Sequence, residues 1–297
     1  MKNEIRGKTS FISLEITPPH GSGNAVIFEK LDATKLKNRI NAFVVTDNPL
    51  ARLKSDSVIT AFKLQEYFSK PAIATITMRD KNKIALQSVL MGANELNITA
   101  ILALTGDPAT SSNQPNVKGV FEANSTLLLE IIKCFNAGID YAGKEFGAPL
   151  RPILSLAVCN SRANNPKTLQ KKIMTKLRFN PAALITQPIY TLSNAKVLKA
   201  LFDEAKEQTK ADTELVFGFF PVTRLKTAQF LTSHVNGVHI PQLLMQQLSG
   251  AKKISEEEEL RVGTILSKEI FKELKNFHPK LHLMGANNFK LLDEITA

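Results

Sequence analysis

Two cysteines, Cys134 and Cys159, are all that 297 residues carry. A disulfide framework cannot be built on so few, so a reducing compartment is the simpler setting. Cys159 has no His or Cys near it in sequence and reads as a small buried apolar residue rather than a nucleophile. No apolar run approaches the roughly 20 residues a membrane helix requires, and Met1 to Lys8 lacks the apolar core of a secretory leader. A cytoplasmic location is therefore expected, where the Asn-x-Thr triplets at Asn97 and Asn124 carry no glycan. A bias toward disorder is missing as well. With 43% hydrophobic residues and 14 each of Gly and Pro, the chain has the make-up of two small globular domains or one large barrel-like architecture.

Acidic residues are the scarcer charge, leaving a formal net charge of +11. Such a balance suits nucleic acid or a small polyanion, phosphates especially, and it also suits a plain basic surface. The densest basic group, Lys167, Lys171, Lys172, Lys176 and Arg178, is not interleaved with the aromatics that stack on bases. Nucleic-acid binding is accordingly not expected, and no membrane partner is either.

Several short apolar runs end abruptly in polar residues. The clearest is Ala100 to Leu104, closed by Thr105-Gly106-Asp107-Pro108. A continuous apolar run is the habit of a strand buried on both faces of a parallel sheet. Ligands in such folds sit beyond the carboxyl ends of the strands, which makes Asp107 a candidate site carboxylate, although Gly-Asp-Pro is also turn chemistry. The pattern recurs at Thr9 to Ile16, ending in Thr17-Pro18-Pro19 with Glu15 inside the strand, and at Ala42 to Thr46, ending in Asp47-Asn48-Pro49. Pro71 to Met78 closes with Arg79-Asp80, Arg151 to Val158 with Cys159-Asn160, and Ala182 to Pro188 carries Gln187. A glutamate inside a strand is costly to bury unless it is paired or handles protons, while strict alternation could turn Glu15 outward. Gln187 both donates and accepts, as reading the edge of a heterocycle requires.

Helical stretches are expected near Val26–Arg39, Lys83–Asn94, Ala123–Asn136, Leu169–Leu177 and Asn194–Gln208, the second carrying a single apolar stripe. Pro108 to Gly119, rich in Ser, Asn, Pro and Gly, reads as a loop at the ligand end, either a lid or simple surface. Ser255-Glu256-Glu257-Glu258-Glu259 resembles a metal site but is better read as a capping box, Ser255 with Glu258, placing negative charge at a helix start. No metal is expected. Adding Glu214 to Pro221 and Leu281 to Met284 gives eight strands with helices between them, so the fold class is α/β, a single (β/α)8 barrel over residues 1–297. The barrel rule places Glu15, Thr46, Asp107, Gln187 and Asn287 on one face. A doubly wound sheet would need a glycine-rich phosphate turn after the first strand; Thr17-Pro18-Pro19-His20-Gly21-Ser22-Gly23 does not supply one.

Five motifs in register then carry a resemblance: Leu14-Glu15-Ile16-Thr17-Pro18-Pro19, Val45-Thr46-Asp47-Asn48-Pro49, Thr77-Met78-Arg79-Asp80-Lys81-Asn82, Leu102 to Pro108, and Ile185-Thr186-Gln187-Pro188. Together, over nearly the whole chain, they are similar to the methylenetetrahydrofolate reductase family. The resemblance implies a flavoprotein of one-carbon metabolism and methionine biosynthesis. In that family reduced nicotinamide gives hydride to FAD, and the flavin reduces 5,10-methylenetetrahydrofolate to 5-methyltetrahydrofolate. It implies Glu15 as general acid, which would need a raised pKa, and Asp107 beside the flavin and the pterin. It further implies Gln187 on the pterin, Thr46 and the Thr75 position on the flavin, and Lys176 near the flavin side chain and phosphates. The expected partners are folate and NAD(P)H, with assembly into a homo-oligomer left open.

The sequence departs from the family on the side that anchors FAD. Thr75 replaces a frequent His and Val158 an occasional Tyr, while Leu169 and Lys172 stand at acidic and Asn positions, and Leu177-Arg178-Phe179-Asn180 replaces Asp-Ala-Gly-Ala. FAD binding is thus less secure than folate binding, and a non-reductase folate-binding or partner subunit is the alternative. A lyase using Lys176 as a Schiff-base amine is disfavoured, because Lys176 falls on a helix or the loop after it and not at a strand end.

Overall fold

Eight runs of apolar sequence become eight parallel strands that close on themselves: β1 Phe11–Ile16, β2 Ala42–Val45, β3 Ala72–Thr77, β4 Ala100–Leu104, β5 Leu154–Cys159, β6 Ala183–Pro188, β7 Glu214–Phe219 and β8 Lys280–Leu283. Each pairs with its sequence neighbours, and β8 returns to β1. The chain is a (β/α)8 barrel in a computed structural model that describes residues 1–7, 10–235 and 237–297. The expected start of the first strand at Thr9 lies outside the described residues.

Each of the five stretches expected to be helical contains a helix, and others that the sequence did not single out join them. The helices are α1 Lys2–Arg6, α2 Ala25–Asp32, α3 Ser57–Phe68, α4 Lys83–Glu95, α5 Ser125–Asn136, α6 Pro166–Leu177, α7 Leu192–Thr209, α8 Leu225–His234, α9 Gln242–Ile254, α10 Glu256–Phe277 and α11 Phe289–Thr296. Side-chain caps explain many of their starts. Asn82 accepts from the Ala85 amide at 2.9 Å, Asn124 from Thr126 at 2.9 Å and Ser255 from Glu258 at 3.0 Å, each satisfying an orphan donor of the first turn. The glutamate run is thus a helix start, and the described residues contain no group of acidic, His or Cys side chains able to hold a metal. The helical stretch expected over Val26–Arg39 breaks after Asp32 and resumes as a 3₁₀ turn at Leu36–Asn38.

Alternation along the strands sorts the apolar residues into two layers. Leu14, Ile16, Phe43, Val45, Ala74, Ile76, Ile101 and Ala103 pack outward under the helices. Phe11, Ala42, Val44, Ile73, Ala100, Leu102, Leu156, Ala183, Ile185 and Val216 fill the barrel interior. Ile5 of α1 belongs to that inner cluster, so α1 plugs the amino end of the barrel. The plug is fastened by Lys280, whose ammonium donates to the Ile5 carbonyl at 2.7 Å and pairs with Glu214 at 2.7 Å. Glu214 is held below the usual glutamate range, since the Lys280 hydrogen bond and the nearby Lys206 charge outweigh the largest single influence, its burial. A groove of about 670 Å³ remains beside α1 at the starts of β3, β4 and β5, while side chains at the carboxyl ends of the strands form a separate cavity. Among the described residues no helix is long and apolar enough to cross a membrane.

Candidate functional site

Strand parity decides which polar side chains reach the barrel mouth. Counting up from the inner cluster, Ser13 and Glu15 on β1, Thr75 and Thr77 on β3, Gln187 on β6, and His282 on β8 with Met284 just beyond it share the inward parity. Glu15, Thr46, Asp47, Thr77, Asp107 and Gln187 line one cavity of about 480 Å³ at this end. Five of the residues expected from the sequence, Glu15, Thr46, Asp107, Lys176 and Gln187, therefore meet there. Thr75 does not line the cavity. It sits one step lower, 1% exposed and paired with Leu102 in the ladder, facing the packed interior.

Glu15 is reached from the cavity but otherwise enclosed, and among the described residues no hydrogen bond meets its carboxyl group. Burial raises that carboxyl from 4.5 to about 7, because a charge without a partner is poorly solvated there. The floor beneath it is neutral. Ser13 and His282 face each other across the β1–β8 ladder, with the Ser13 hydroxyl 2.9 Å from Nδ1 of His282. Burial pushes the imidazole down to about 4, so it is uncharged at neutral pH. A proton on Glu15 thus has no fixed charge directly below to compete with it.

Asp47 and Asp107 stand on the loops after β2 and β4. Asp107, just past β4, accepts the Leu50 amide at 2.7 Å. Asp47, just past β2, receives the Thr77 amide at 2.9 Å, the Thr77 hydroxyl at 3.0 Å and the Lys81 ammonium at 2.8 Å, all on one oxygen. Asp47 and Lys81 went unremarked as a pair in the sequence because Asp47-Asn48-Pro49 reads as turn chemistry. The available signal was positional, since Asp47 follows its strand much as Asp107 follows β4. Beside them Arg79 is 3% exposed and grips Asp80 through Nε at 2.7 Å and Nη2 at 2.6 Å. The loop after β4 docks against this strand end. Val120 donates to the Arg79 carbonyl at 2.6 Å and Phe121 to that of Met78 at 3.3 Å.

Lys176 lies in the last turn of α6, and its ammonium donates to the Val158 carbonyl. Burial lowers its pKa, partly offset by the neighbouring Cys159 sulfur. Cys159 itself is buried, its thiol pushed up to about 12, in keeping with an inert packing residue. Lys176, Thr105, Ser125, Val158 and Asn160 are shared between the main cavity and a second pocket of about 360 Å³, which adds Asn124, Thr126 and Lys172.

These two connected spaces can be set against the flavin that the sequence resemblance implies. At the ring end the donor set fits: the Thr46 hydroxyl is buried without a partner, and Gln187 and Asp107 offer donors and acceptors around it. At the phosphate end the fit rests on Lys172 and Lys176. The first amides of α5 are already taken, that of Ser125 by the Thr105 hydroxyl at 3.1 Å and that of Thr126 by Asn124.

The model of the family described as "Methylenetetrahydrofolate reductase" matches residues 1–297. No curated protein sequence matches the chain. Among solved structures, one from Clostridium thermocellum is similar over 99% of this chain and 95% of its own, with a TM-score of 0.64 and 15% identity. It is described as an uncharacterized protein that binds two copies of 5-methyl-5,6,7,8-tetrahydrofolic acid. At that identity the likeness concerns the fold.

Proposed function

The chain belongs to the methylenetetrahydrofolate reductase family, and on that premise we propose that it reduces 5,10-methylenetetrahydrofolate to 5-methyltetrahydrofolate with reduced nicotinamide as electron source. The observation that carries the reading is Glu15, a solvent-reached carboxyl at the barrel mouth whose pKa of about 7 leaves it half protonated near neutrality. A general acid works best in that state. Opening the folate's imidazolidine ring needs a proton delivered to the departing nitrogen, and Glu15 is placed to give it. Gln187 reads the amide edge of the pterin through its own carboxamide. The Asp107 carboxylate faces the same space and attracts the cationic character that develops on the opening ring.

FAD, held by Thr46 and Asp107 at its ring and by Lys172 and Lys176 at its phosphates, would supply the hydride relay between nicotinamide and folate. Asp47 and Lys81 fix the β3 exit, and the apolar barrel interior lies between the Ser13–His282 floor and the amino end.

A second reading, a folate-binding barrel without flavin chemistry, is favoured by the engagement of Lys176 with the Val158 carbonyl and by the occupied amides at the start of α5. The solved neighbour described as binding 5-methyltetrahydrofolic acid is compatible with either. The visible spectrum of the purified protein before and after anaerobic NADH separates them. A yellow protein bleached by NADH and re-oxidised by methylenetetrahydrofolate supports the reductase. A colourless protein that cannot be reconstituted with FAD, yet binds folate, supports the second reading.

A further inference from the structure

The barrel closes between its first and last strands, and the closure leaves a gap in the ladder beside Glu15. β1 and β8 are in register from Phe11–Lys280 to Leu14–Leu283. Above Leu283 the last strand turns away. Met284 makes the last rung on the β7 side, donating to Phe219 at 2.8 Å, and Ala286 and Asn287 then take left-handed conformations with φ of 47° and 64°. On the other side of the gap β1 continues to Thr17 and then meets Pro18 and Pro19, which have no amide hydrogens to donate. Thr17 would thus keep a peptide N–H and C=O with no rung to join. The side chain of Asn287 supplies that rung: Oδ1 accepts the Thr17 amide at 3.0 Å, and Nδ2 donates to the Thr17 carbonyl at 2.7 Å.

We propose that Asn287 is a positioning residue for Glu15, its carboxamide standing in for a strand residue so that the β1 exit is held and Glu15 is kept facing the enclosed cavity. The residue type suits the task twice. A carboxamide offers a donor and an acceptor in the spacing of a peptide group, and asparagine tolerates a left-handed backbone better than other non-glycine residues. Aspartate at this place could accept from Thr17 but would set a carboxylate against its carbonyl. Below Glu15 the strand is fixed by the Ser13–His282 contact, and above it by Asn287. Glu15 is the inward residue between the two fastenings. The titratable groups lining the same space or lying beneath it are Asp47 after β2, Asp107 after β4, Lys176 on α6 and His282 on β8. Asn287 is none of these, so changing it to alanine leaves the local charge untouched.

The inference rests on the proposed role of Glu15 for its kinetic consequence, but the placement can be read without turnover. Infrared titration of the Glu15 carboxyl, identified by its loss in Glu15→Gln, is expected to give a midpoint near 7 in the unaltered chain. In Asn287→Ala the midpoint moves toward the ordinary 4.5, as the loosened strand admits water. Asn287→Asp keeps the Thr17 amide bond and serves if the alanine variant does not fold; its added charge alone would raise the midpoint, so a fall reports lost positioning against that opposing effect. Asn288→Ala is the control within the same segment. It removes the α11 cap to Leu291 and leaves the titration unchanged. If folate reduction is catalysed, Asn287→Ala also lowers kcat on the order of ten- to a hundredfold, the scale of a misplaced catalytic group, with the acid-dependent limb of its pH profile moved the same way. An identical Glu15 midpoint in the unaltered chain and in whichever Asn287 variant folds overturns the positioning role, whatever the activity. A Glu15→Gln variant with undiminished folate reduction overturns the general-acid reading and leaves the titration test standing.

Discussion

The Asp107 carboxylate accepts a hydrogen bond from the amide of Leu50 at 2.7 Å, joining the loop that follows β4 to the loop that follows β2. The partner loop is held in an uncommon shape, with Asn48, Leu50 and Ala51 at φ of 44°, 55° and 55°. Left-handed backbone at Leu and Ala costs energy, and the Asp107 contact is one of the interactions that keep it.

Asp107→Asn retains an acceptor for Leu50 and loses only the charge. The fold is expected to survive with little change in melting temperature, since a barrel-mouth carboxylate contributes little packing, while folate reduction weakens. Asp107→Ala removes the acceptor too and is expected to expose the 48–52 loop to limited proteolysis. Unchanged folate kinetics in Asp107→Asn remove the charge from the mechanism.

Glu15→Gln keeps the size of the side chain and loses the proton. Reduction of methylenetetrahydrofolate is expected to slow at least about a hundredfold, while bleaching of the flavin band by NADH continues at its former rate. Rapid-mixing kinetics of the two halves read this directly, and equal slowing of both would mean Glu15 supports the fold instead. In the unaltered protein folate reduction is expected to fall away as pH rises through about 7, read from its pH–rate profile. Stability has the same sign. The folded chain holds the Glu15 proton more tightly than the unfolded chain does, so this contribution is fully present below 4.5 and is lost as pH rises through about 7. The loss is at most about 3 kcal/mol, and cavity water lessens it. Thermal melts should therefore show Glu15→Gln gaining on the unaltered protein between pH 5 and pH 8 on the order of that difference.

Gly218 on β7 sits where a side chain would collide with the site. A Cβ there would stand 2.3 Å from the Thr186 carbonyl oxygen, 2.8 Å from the Met284 methyl and 3.0 Å from the Gln187 carbonyl carbon. Gly218→Ala is expected to destabilise the fold by about 1–3 kcal/mol, the usual cost of overpacking. It should also raise KM for folate by displacing Gln187. A KM unaltered beside a lowered melting temperature would separate Gln187 from substrate binding.

Glu259 is the member of the glutamate run that is buried, 3% exposed. From α10 it accepts the Leu225 amide at 2.7 Å and the Arg224 guanidinium at 3.2 Å, capping α8 from outside that helix. Glu259→Ala leaves the Leu225 amide unpaired and Arg224 with the Glu256 carbonyl at 2.6 Å, and is expected to cost about 1–3 kcal/mol, measured by urea unfolding, with catalysis per folded molecule unchanged. Its neighbours Glu256 and Glu257 are exposed, and replacing them should cost little.

The barrel was legible because strands buried on both faces cannot alternate: Ala100 to Leu104 and Ala42 to Val45 announce themselves as apolar runs with polar closings. The same pattern brought out Glu15, Thr46, Asp107 and Gln187, and the structure collects them around one cavity. Less legible was whatever depends on partners distant in sequence. Lys280 and Glu214 look like ordinary surface charges until their ion pair is seen to fasten α1 at the amino end of the barrel. Asp47 reads as a turn residue until Thr77 and Lys81 converge on it. The helix α8 takes its cap from Glu259, which no local pattern reveals. Thr75, expected at the cofactor, faces the interior one step below the cavity, because inward positions on one strand differ in height as well as in direction.

The fastening of Thr17 by Asn287 spans 270 positions in sequence, and it gives the protein a schedule. Chain leaving a ribosome can build β1 through β7 and their helices progressively, since most contacts lie between neighbours along the chain. The mouth beside Glu15 must wait until the last strand has emerged and docked against the first, the contact with the largest loop to close. A nascent barrel is therefore nearly complete in mass while Glu15 still lacks its enclosure, and the proposed acid takes shape only at the final stage of assembly.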